Sequence, residues 1–210
     1  MASGSAADFL PARRDLASLA NAASGCKGCE LYKNATQTVF GEGDTEARVM
    51  LVGEQPGDRE DIEGLPFVGP AGRILDKAMK DIGVTREQYY VTNIVKHFKW
   101  SPKGKRRIHE KPRASEVRAC LPWLEAEIDA VRPELIVCLG ATAAAGLIGA
   151  SAKVSTHRGK VVESNYGACL VTTHPSSILR AETPEERRAA YDAFLADLRA
   201  GVTFVWRSAA

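Results

Sequence analysis

The chain has 210 residues, of which 45% are hydrophobic and 26% are charged. This length and composition are typical of one globular domain with its own core, and the chain is short for two domains. No stretch approaches the roughly 18 apolar residues of a membrane span, and the first 20 residues lack the apolar core of a secretory signal. We therefore expect residues 1–210 to form a single domain of a cytoplasmic protein, without membrane association and monomeric by default.

The predicted elements alternate between strands and helices. Short apolar runs predict strands, and apolar residues spaced three to four apart predict helices. In chain order we predict a helix to about residue 23, a strand over 48–53, helix 70–82, strand 89–95, helix 114–131, strand 134–139, helix 141–148, strands 160–163 and 169–173, and helix 183–200. This alternation predicts an α/β three-layer sandwich with a central, mainly parallel β-sheet.

Four polar groups follow predicted strands. They are the segment Gly53–Asp61, Asn93, a basic segment over 96–113, and His174. Ligand sites of such sheets form beyond the carboxyl ends of the strands, so we expect these groups to converge on one site.

The basic segment over 96–113 holds eight lysine and arginine residues against the single acid Glu110. Its net charge of +7 exceeds the +2 of the whole chain, which leaves −5 for the remainder. Charge alone leaves two interpretations open: a solvated loop, or a local polyanion-binding site.

The segment after the first strand reads Glu54-Gln55-Pro56-Gly57, and an acidic run and Phe67 follow it. A turn with a solvated acidic run would explain most of it. Phe67, between a proline and a valine–glycine pair, could instead offer a face on which an extruded base stacks.

Asn93 and His174 each have a structural and a functional interpretation. Asn93 is either a satisfied core amide or a reader of a base edge, donating to a carbonyl and accepting from a neighbouring N–H. Uracil presents that pair and cytosine reverses it. His174 is either structural or a donor that stabilises the charge of a departing base.

The five cysteines are an odd number in a chain expected in the cytoplasm, where disulfides are disfavoured. Cys26 and Cys29 have the spacing of a metal-ligand pair, which is a weak signal alone. Cys120 follows the basic segment. Cys138 and Cys169 lie in apolar strands and are interpreted as buried small hydrophobic residues.

Together these motifs resemble the family 4 uracil-DNA glycosylases over nearly the whole chain. The matching segments are Gly53-Glu-Gln-Pro-Gly57, Pro66-Phe-Val-Gly69, Tyr90-Val-Thr-Asn93 and His174-Pro-Ser-Ser177. The resemblance implies a uracil-DNA glycosylase fold, excision of uracil from DNA for base-excision repair, and a 4Fe-4S cluster with Cys26, Cys29 and Cys120 among its ligands.

One departure from the family concerns the fourth cluster ligand. Where the family has a cysteine after the second strand, this chain has His97. Histidine replaces cysteine on cluster iron in Rieske centres. The resemblance thus implies a cluster region formed by 26–29, 97 and 120. A cluster with three ligands, or one rescued by Cys138, remains an alternative.

The second departure is the insertion Lys105-Arg106-Arg107-Ile108-His109. It resembles the signature loop of the UdgX branch, in which the histidine becomes covalently joined to DNA, and Gln55 fits the same branch. Simple phosphate binding by Lys105, Arg106 and Arg107, with His109 incidental, is the alternative.

The resemblance also implies a role for each site residue. Phe67 stacks on uracil, Asn93 reads its edge, His174 stabilises the leaving anion, and Gly53, Gln55 and Ser176 complete the base site. Neutral His109 then attacks C1′ of the sugar, Glu54 orients it and accepts its proton, and Asp58 or Asp61 binds a water. The partners would be uracil-containing DNA, preferably single-stranded, and free uracil as product.

Two other functions remain open at this point. One is a conventional glycosylase that turns over, and the other is a non-catalytic iron–sulfur DNA-binding protein. A nucleotide-using α/β enzyme is disfavoured because neither a G-x-G-x-x-G nor a Walker-type loop follows the first strand.

Overall fold

The computed structural model describes residues 4–207. Its strands are β1 (Val49–Gly53), β2 (Tyr89–Asn93), β3 (Trp100–Lys103), β4 (Arg106–His109), β5 (Leu135–Leu139), β6 (Val161–Ser164) and β7 (Gly167–Thr172). Its helices are α1 (Leu16–Ala23), α2 (Asp58–Glu63), α3 (Pro70–Asp81), α4 (Ala114–Val131), α5 (Ala141–Leu147), α6 (Val154–His157), α7 (Pro175–Leu179) and α8 (Pro184–Arg207). Short 3-10 turns lie at Ala6–Phe9, Glu30–Lys33 and Arg86–Gln88. Among the helices between residues 4 and 207, none has the length and apolar character that crossing a membrane requires.

The main sheet has five strands in the order β2-β1-β5-β7-β6. The first four are parallel, and β6 alone runs antiparallel, to β7. Every residue of β1, β2 and β5 is buried, as expected for parallel strands that are covered on both faces. The predicted α/β sandwich is therefore confirmed.

Alternate residues of β1 face the two apolar layers. Met50 and Val52 pack with Trp123 of α4 in one cluster, to which α1 and α5 also contribute. Val49 and Leu51 pack in the other cluster, formed with α3 and α8. Because side chains alternate along a strand, one apolar run serves both layers and fixes the register of the sheet.

The short helices α6 and α7 were not predicted, and the last helix extends beyond residue 200 to Arg207. Three further differences lie closer to the site or to the N-terminus. The N-terminal helix is interrupted and only α1 is α-helical, because Pro11 lacks the N–H that a continuous helix needs. The acidic run after Gly57 forms the short helix α2. The basic segment, predicted as a loop, contains the antiparallel hairpin β3–β4 with its turn at Lys103–Arg106.

Lys96 belongs to the predicted basic segment, but neither of the two interpretations of that segment holds for this residue. Its side chain is buried, and its Nζ forms an ion pair with buried Glu127 and donates to Thr92 Oγ1 at 2.6 Å and to the Asn93 carbonyl at 2.7 Å. Tyr90 Oη donates to the same carboxylate at 3.0 Å. A buried lysine needs such a set of acceptors, and here they hold the end of β2 against α4.

Candidate active site

A cleft of about 850 Å³ opens at the carboxyl ends of β1, β2, β5 and β7. The residues expected to converge there do so. The cleft is lined by Glu54, Gln55, Asp58, Phe67, Asn93, His109, His174 and Ser176, together with side chains that the sequence did not single out. Asp61, in contrast, is not part of the cleft wall.

Gly53 keeps the floor of the cleft open. It ends β1 directly beside Asn93 in the parallel register. A Cβ atom at this position would lie 2.3 Å from Asn93 Oδ1 and 2.7 Å from Phe67 Cζ, closer than such atoms can approach. The absence of a side chain at Gly53 is therefore what lets Asn93 and Phe67 border one small volume.

The Asn93 amide is a buried polar group with an unused acceptor. Asn93 is 3% exposed, and its Oδ1 finds no hydrogen-bond partner among residues 4–207. Buried polar atoms are nearly always paired, so an orphan oxygen in a cleft wall indicates a ligand that supplies an N–H. The predicted interpretation as a satisfied core amide does not hold for this oxygen.

Phe67 lies in a strained backbone conformation. Its φ of +57° is in the left-handed region, which bulky residues rarely adopt. The Phe67 carbonyl packs on Gly72 of α3 so closely that a Cβ there would overlap it, at 1.5 Å. The ring centroid lies 5.9 Å from that of His174, with planes inclined by 31°. The two rings thus form adjacent walls of the cleft.

The hydrogen bonds of His174 select one tautomer. Its Nδ1 accepts from the Ser176 N–H at 3.2 Å, and the Ser176 hydroxyl lies 2.8 Å from the same atom. In the neutral ring the proton is therefore on Nε2. Burial, helped by the positive charge of Arg180 and by His109, lowers the pKa of His174 to about 4. The side chain is consequently a neutral donor at physiological pH.

The lowered pKa of His174 predicts acid destabilisation. The unfolded chain takes up this proton near the ordinary histidine pKa of about 6.5, and the folded protein only near 4. The free energy of unfolding should thus fall as pH drops through this window, by up to about 3 kcal/mol. Urea unfolding of the wild type and His174→Gln at neutral pH and near pH 4.5 measures this. An equal loss in both proteins would contradict the assignment.

His109 and Glu54 face each other across the mouth of the cleft. His109 ends β4 with its side chain half-exposed, and its Nε2 lies 3.5 Å from Glu54 Oε1. Its ring also packs against Phe98, at 6.1 Å between centroids. A histidine with one nitrogen directed at a carboxylate and about half of its side chain accessible has the geometry that nucleophilic attack or proton transfer requires.

Gln55 holds the base of the hairpin that carries His109. Its Nε2 donates to the carbonyls of Lys99 and Glu110, each at 3.1 Å, and its Oε1 accepts from the Lys99 N–H at 3.2 Å. These residues flank the hairpin, and Glu110 follows His109 directly. The Gln55 amide is therefore occupied by backbone groups, and its contribution to the cleft is to fix the hairpin.

Arg107 anchors the same hairpin from its other side. Its guanidinium donates to Asp58 Oδ1 at 2.5 Å and to Asp61 Oδ2 at 2.6 Å, and lies over the rings of Phe98 and Trp100. Asp61 is fully buried. Asp58 or Asp61 was predicted to bind a water, but both carboxylates contact Arg107. The Arg107 side chain is therefore directed into the protein.

The remaining lysine and arginine residues of the basic segment fall into a buried group and an exposed group. Lys99 pairs with Glu116 at 2.8 Å with both side chains largely buried. The exposed members are Lys103, Lys105, Arg106, Lys111 and Arg113. The hairpin therefore presents a smaller positive surface than the sequence indicates, and this surface borders the cleft because Lys111 lines it.

The three cysteines predicted as cluster ligands lie in one region. The Cys26 Sγ accepts from Trp123 Nε1 at 3.2 Å, and the Cys120 Sγ accepts from the Lys96 N–H at 3.2 Å. Burial raises the pKa of Cys120 to about 12, and the charges of Cys26 and Cys29 add to this effect. N–H donors directed at sulfur fit a thiolate site, and the raised pKa of Cys120 means that a metal would have to displace the thiol proton on binding.

His97 is buried, and burial lowers its pKa to about 4. Its Nε2 lies 2.9 Å from Thr38 Oγ1, whose hydroxyl donates to the Ala23 carbonyl at 2.9 Å. Thr38 therefore accepts from Nε2–H, which leaves Nδ1 as the basic nitrogen. In residues 4–207 no three His, Cys, Asp or Glu side chains converge on a point suited to one metal ion.

Two side chains that shape the cleft, Thr142 and Glu60, were not predicted as site residues from the sequence. Thr142 donates a hydrogen bond to Glu54 Oε2, and Glu60 Oε1 accepts from the Gly69 N–H at 3.0 Å, next to the Phe67 loop. A helix-initiating threonine and an acidic run are common on surfaces, so no local pattern distinguishes these side chains. Their position beyond the strand ends was the available signal.

Comparison with known proteins agrees with this geometry. Residues 40–199 match the profile of the uracil DNA glycosylase superfamily, so the chain belongs to that superfamily. It is 38% identical to a type-4 uracil-DNA glycosylase of Thermotoga maritima over 165 residues, 78% of this chain and 82% of that protein. It is 36% identical to one of Archaeoglobus fulgidus over 170 residues, 77% and 82% of the two chains. The match to one of Sulfurisphaera tokodaii is 44% identical over 116 residues, 55% of this chain and half of that protein.

Proposed function

We propose that this protein is a uracil-DNA glycosylase of base-excision repair, and that it bonds its own His109 to C1′ of the sugar from which uracil has departed. Superfamily membership and the type-4 relatives support the excision. The observation that carries the trapping step is the placement of His109 in the cleft of Asn93 and His174, with its Nε2 3.5 Å from Glu54.

Base recognition follows from the two unused polar groups of the cleft. The free Oδ1 of Asn93 accepts the N3–H of an extruded uracil, and its Nδ2 donates to O4. Cytosine has an acceptor at N3 and a donor at C4, so both contacts would be mismatched. Phe67 packs on the face of the base. The Nε2–H of neutral His174 donates to O2, where negative charge develops as the C1′–N1 bond breaks.

DNA is bound through the exposed cations of the hairpin. Lys105 and Arg106 at its turn, with Lys103, Lys111 and Arg113, contact phosphates, so the affinity falls as salt rises. Flipping costs least in single strands, because no base pair has to be broken there. We therefore infer a preference for uracil in single-stranded DNA.

The trapping step conserves atoms and charge. Uracil leaves as an anion with the bonding electron pair and gains a proton from solvent. The lone pair of one His109 ring nitrogen forms the new bond to C1′, and the proton of the other nitrogen passes to Glu54. The product is a neutral alkylated imidazole, and the proposed mechanism contains no step that releases it. The protein then remains on the lesion as a stoichiometric cap.

The anchoring of the hairpin supports this role for His109. Gln55 fixes the base of the hairpin, and Arg107 with Asp58 and Asp61 fixes its strand β4 to α2. A loop that only bound phosphates would gain nothing from turning an arginine inward and closing its stem. Asp58 and Asp61 thus contribute through Arg107. The geometry favours a nucleophile held in place, because a displacement of about 1 Å can cost a hundredfold in rate.

We also propose that Cys26, Cys29, His97 and Cys120 hold a 4Fe-4S cluster. Each ligand of such a cluster binds a different iron, so the four donors surround a volume and need not converge on one point. Neutral His97 with a basic Nδ1 suits iron ligation. When bound, the cluster would supply bonds that cross-link the N-terminal segment, the end of β2 and α4.

The test is a denaturing gel after incubation of excess protein with a labelled, uracil-containing single strand. We expect a band of protein plus DNA that resists heat and detergent and is absent with a thymine-containing strand. Free uracil and an abasic strand without a shifted band would instead establish a conventional glycosylase. Salt-sensitive binding without uracil release at any protein excess would establish a non-catalytic DNA-binding protein.

A further inference from the structure

Thr142 contacts the carboxylate that faces His109. It is the second residue of α5, which is joined to β5 by the single residue Gly140, and it lines the cleft. Its hydroxyl donates a hydrogen bond to Glu54 Oε2, while Glu54 Oε1 is the oxygen that lies 3.5 Å from His109 Nε2. The two oxygens of one carboxylate are thus divided between a fixed donor and the histidine.

We propose that Thr142 is a positioning residue that fixes the rotamer of Glu54 and thereby decides whether His109 or water captures the sugar. This inference rests on the proposed function. A glutamate has three rotatable side-chain bonds, and a single well-placed donor removes most of that freedom. Threonine suits the task because its β-branch restricts its own χ1 angle.

The surroundings of Thr142 make it a rigid support. The next two residues, Ala143 and Ala144, are fully buried in the core layer beside the sheet. Glu54 itself follows β1, whose residues are all buried. Both ends of the hydrogen bond are therefore tied to the central sheet, whereas His109 is carried by the peripheral hairpin.

The expected consequence is a change in product partition. Breaking the C1′–N1 bond uses Asn93, Phe67 and His174, and leaves an oxocarbenium-like sugar that either nucleophile can capture. If Glu54 changes its rotamer, His109 loses the acceptor that orients it. The rate of attack by His109 on C1′ then falls, and water captures a larger fraction of the sugar. Loss of the Thr142 hydroxyl should therefore lower adduct formation without slowing the release of uracil.

The experiment compares Thr142→Val, which keeps the shape and removes the hydroxyl, with Thr142→Ser, which keeps the hydroxyl. Thr156→Val is the matched control, because the Thr156 hydroxyl is exposed on α6 and bonds locally to Lys153 at 3.3 Å. Under single-turnover conditions, free abasic strands are counted by alkaline cleavage and adducts by their heat-stable gel shift. Released uracil and the Tm are measured on the same samples.

We expect Thr142→Val to raise the ratio of free abasic strand to adduct about tenfold, which corresponds to about 1.4 kcal/mol. Uracil release and Tm should stay near wild type, and Thr142→Ser should restore the partition. If Thr142→Val lowers the Tm, Thr142→Ala provides a second variant without the hydroxyl. A wild-type partition in Thr142→Val, or an equal defect in Thr142→Ser, overturns this inference alone. An absence of adduct in the wild type overturns both this inference and the trapping function.

Discussion

Replacing His109 with serine will abolish the covalent DNA adduct while uracil is still released. Serine keeps a small polar side chain at the end of β4 but is too short to reach the position of the imidazole nitrogen, and its neutral hydroxyl is a weaker nucleophile than a neutral imidazole. Water then enters and captures the sugar. We expect adduct formation to fall at least ~100-fold, since the gain from a held nucleophile is lost.

This prediction is measured by the gel shift and by the uracil released in the same reaction. His157→Ser is the control, because His157 lies on α6 and its Nδ1 bonds only to its own helix start at Lys153 and Thr156 among the residues described. A heat-stable adduct that persists in His109→Ser would assign the nucleophile to another residue.

Replacing Gly53 with alanine should abolish both excision and adduct. The added Cβ would lie 2.3 Å from Asn93 Oδ1 and 2.7 Å from the Phe67 ring, and both neighbours are buried. The amide and the ring must then move, and the volume in which uracil would sit is filled. A misplacement of about 1 Å predicts a loss of roughly 100-fold or more in the rate of uracil release.

DNA binding separates this effect from unfolding. None of the three atoms nearest to an added Cβ at Gly53 belongs to an exposed cation, so fluorescence anisotropy should give Gly53→Ala nearly the wild-type affinity at each salt concentration. Gly25→Ala is the matched control, because its added methyl would meet only the Ala22 carbonyl, at an ordinary 3.8 Å. Normal uracil release by Gly53→Ala would show that the base binds elsewhere.

The sheet was predictable because its strands are buried on both faces. Continuous apolar runs such as Val49–Gly53 and Leu135–Leu139 have no polar side to face solvent, so they must form buried strands. The bounds predicted for α4 are those observed. The hairpin β3–β4 was not predictable. Its two strands are four residues long, include Pro102 and show no regular alternation of apolar and polar residues. The hairpin is held by tertiary contacts from Gln55 and from Asp58 and Asp61. Those partners are distant in the chain, so the sequence of the hairpin itself does not indicate them.

The candidate site likewise has features that could be predicted from the sequence and features that could not. Asn93 and His174 could be located because they end strands, and the order of strands then brings them together. The direction of each charged side chain could not be predicted. In the sequence Lys96 and Arg107 belong to one basic segment, yet in the structure they pair with buried carboxylates from distant segments, Glu127 and Asp61 respectively. Long-range pairing of this kind depends on packing that a local charge pattern does not encode.

The proposed bond between His109 and the sugar is tested most directly by mass spectrometry of the protein after reaction. The wild-type protein is incubated with a uracil-containing strand, digested with nuclease and protease, and sequenced as peptides. The account predicts a sugar-phosphate remnant on His109, in place of the ring proton, and no such modification with a thymine-containing strand. An unmodified peptide containing His109, recovered beside released uracil and a free abasic strand, would contradict it.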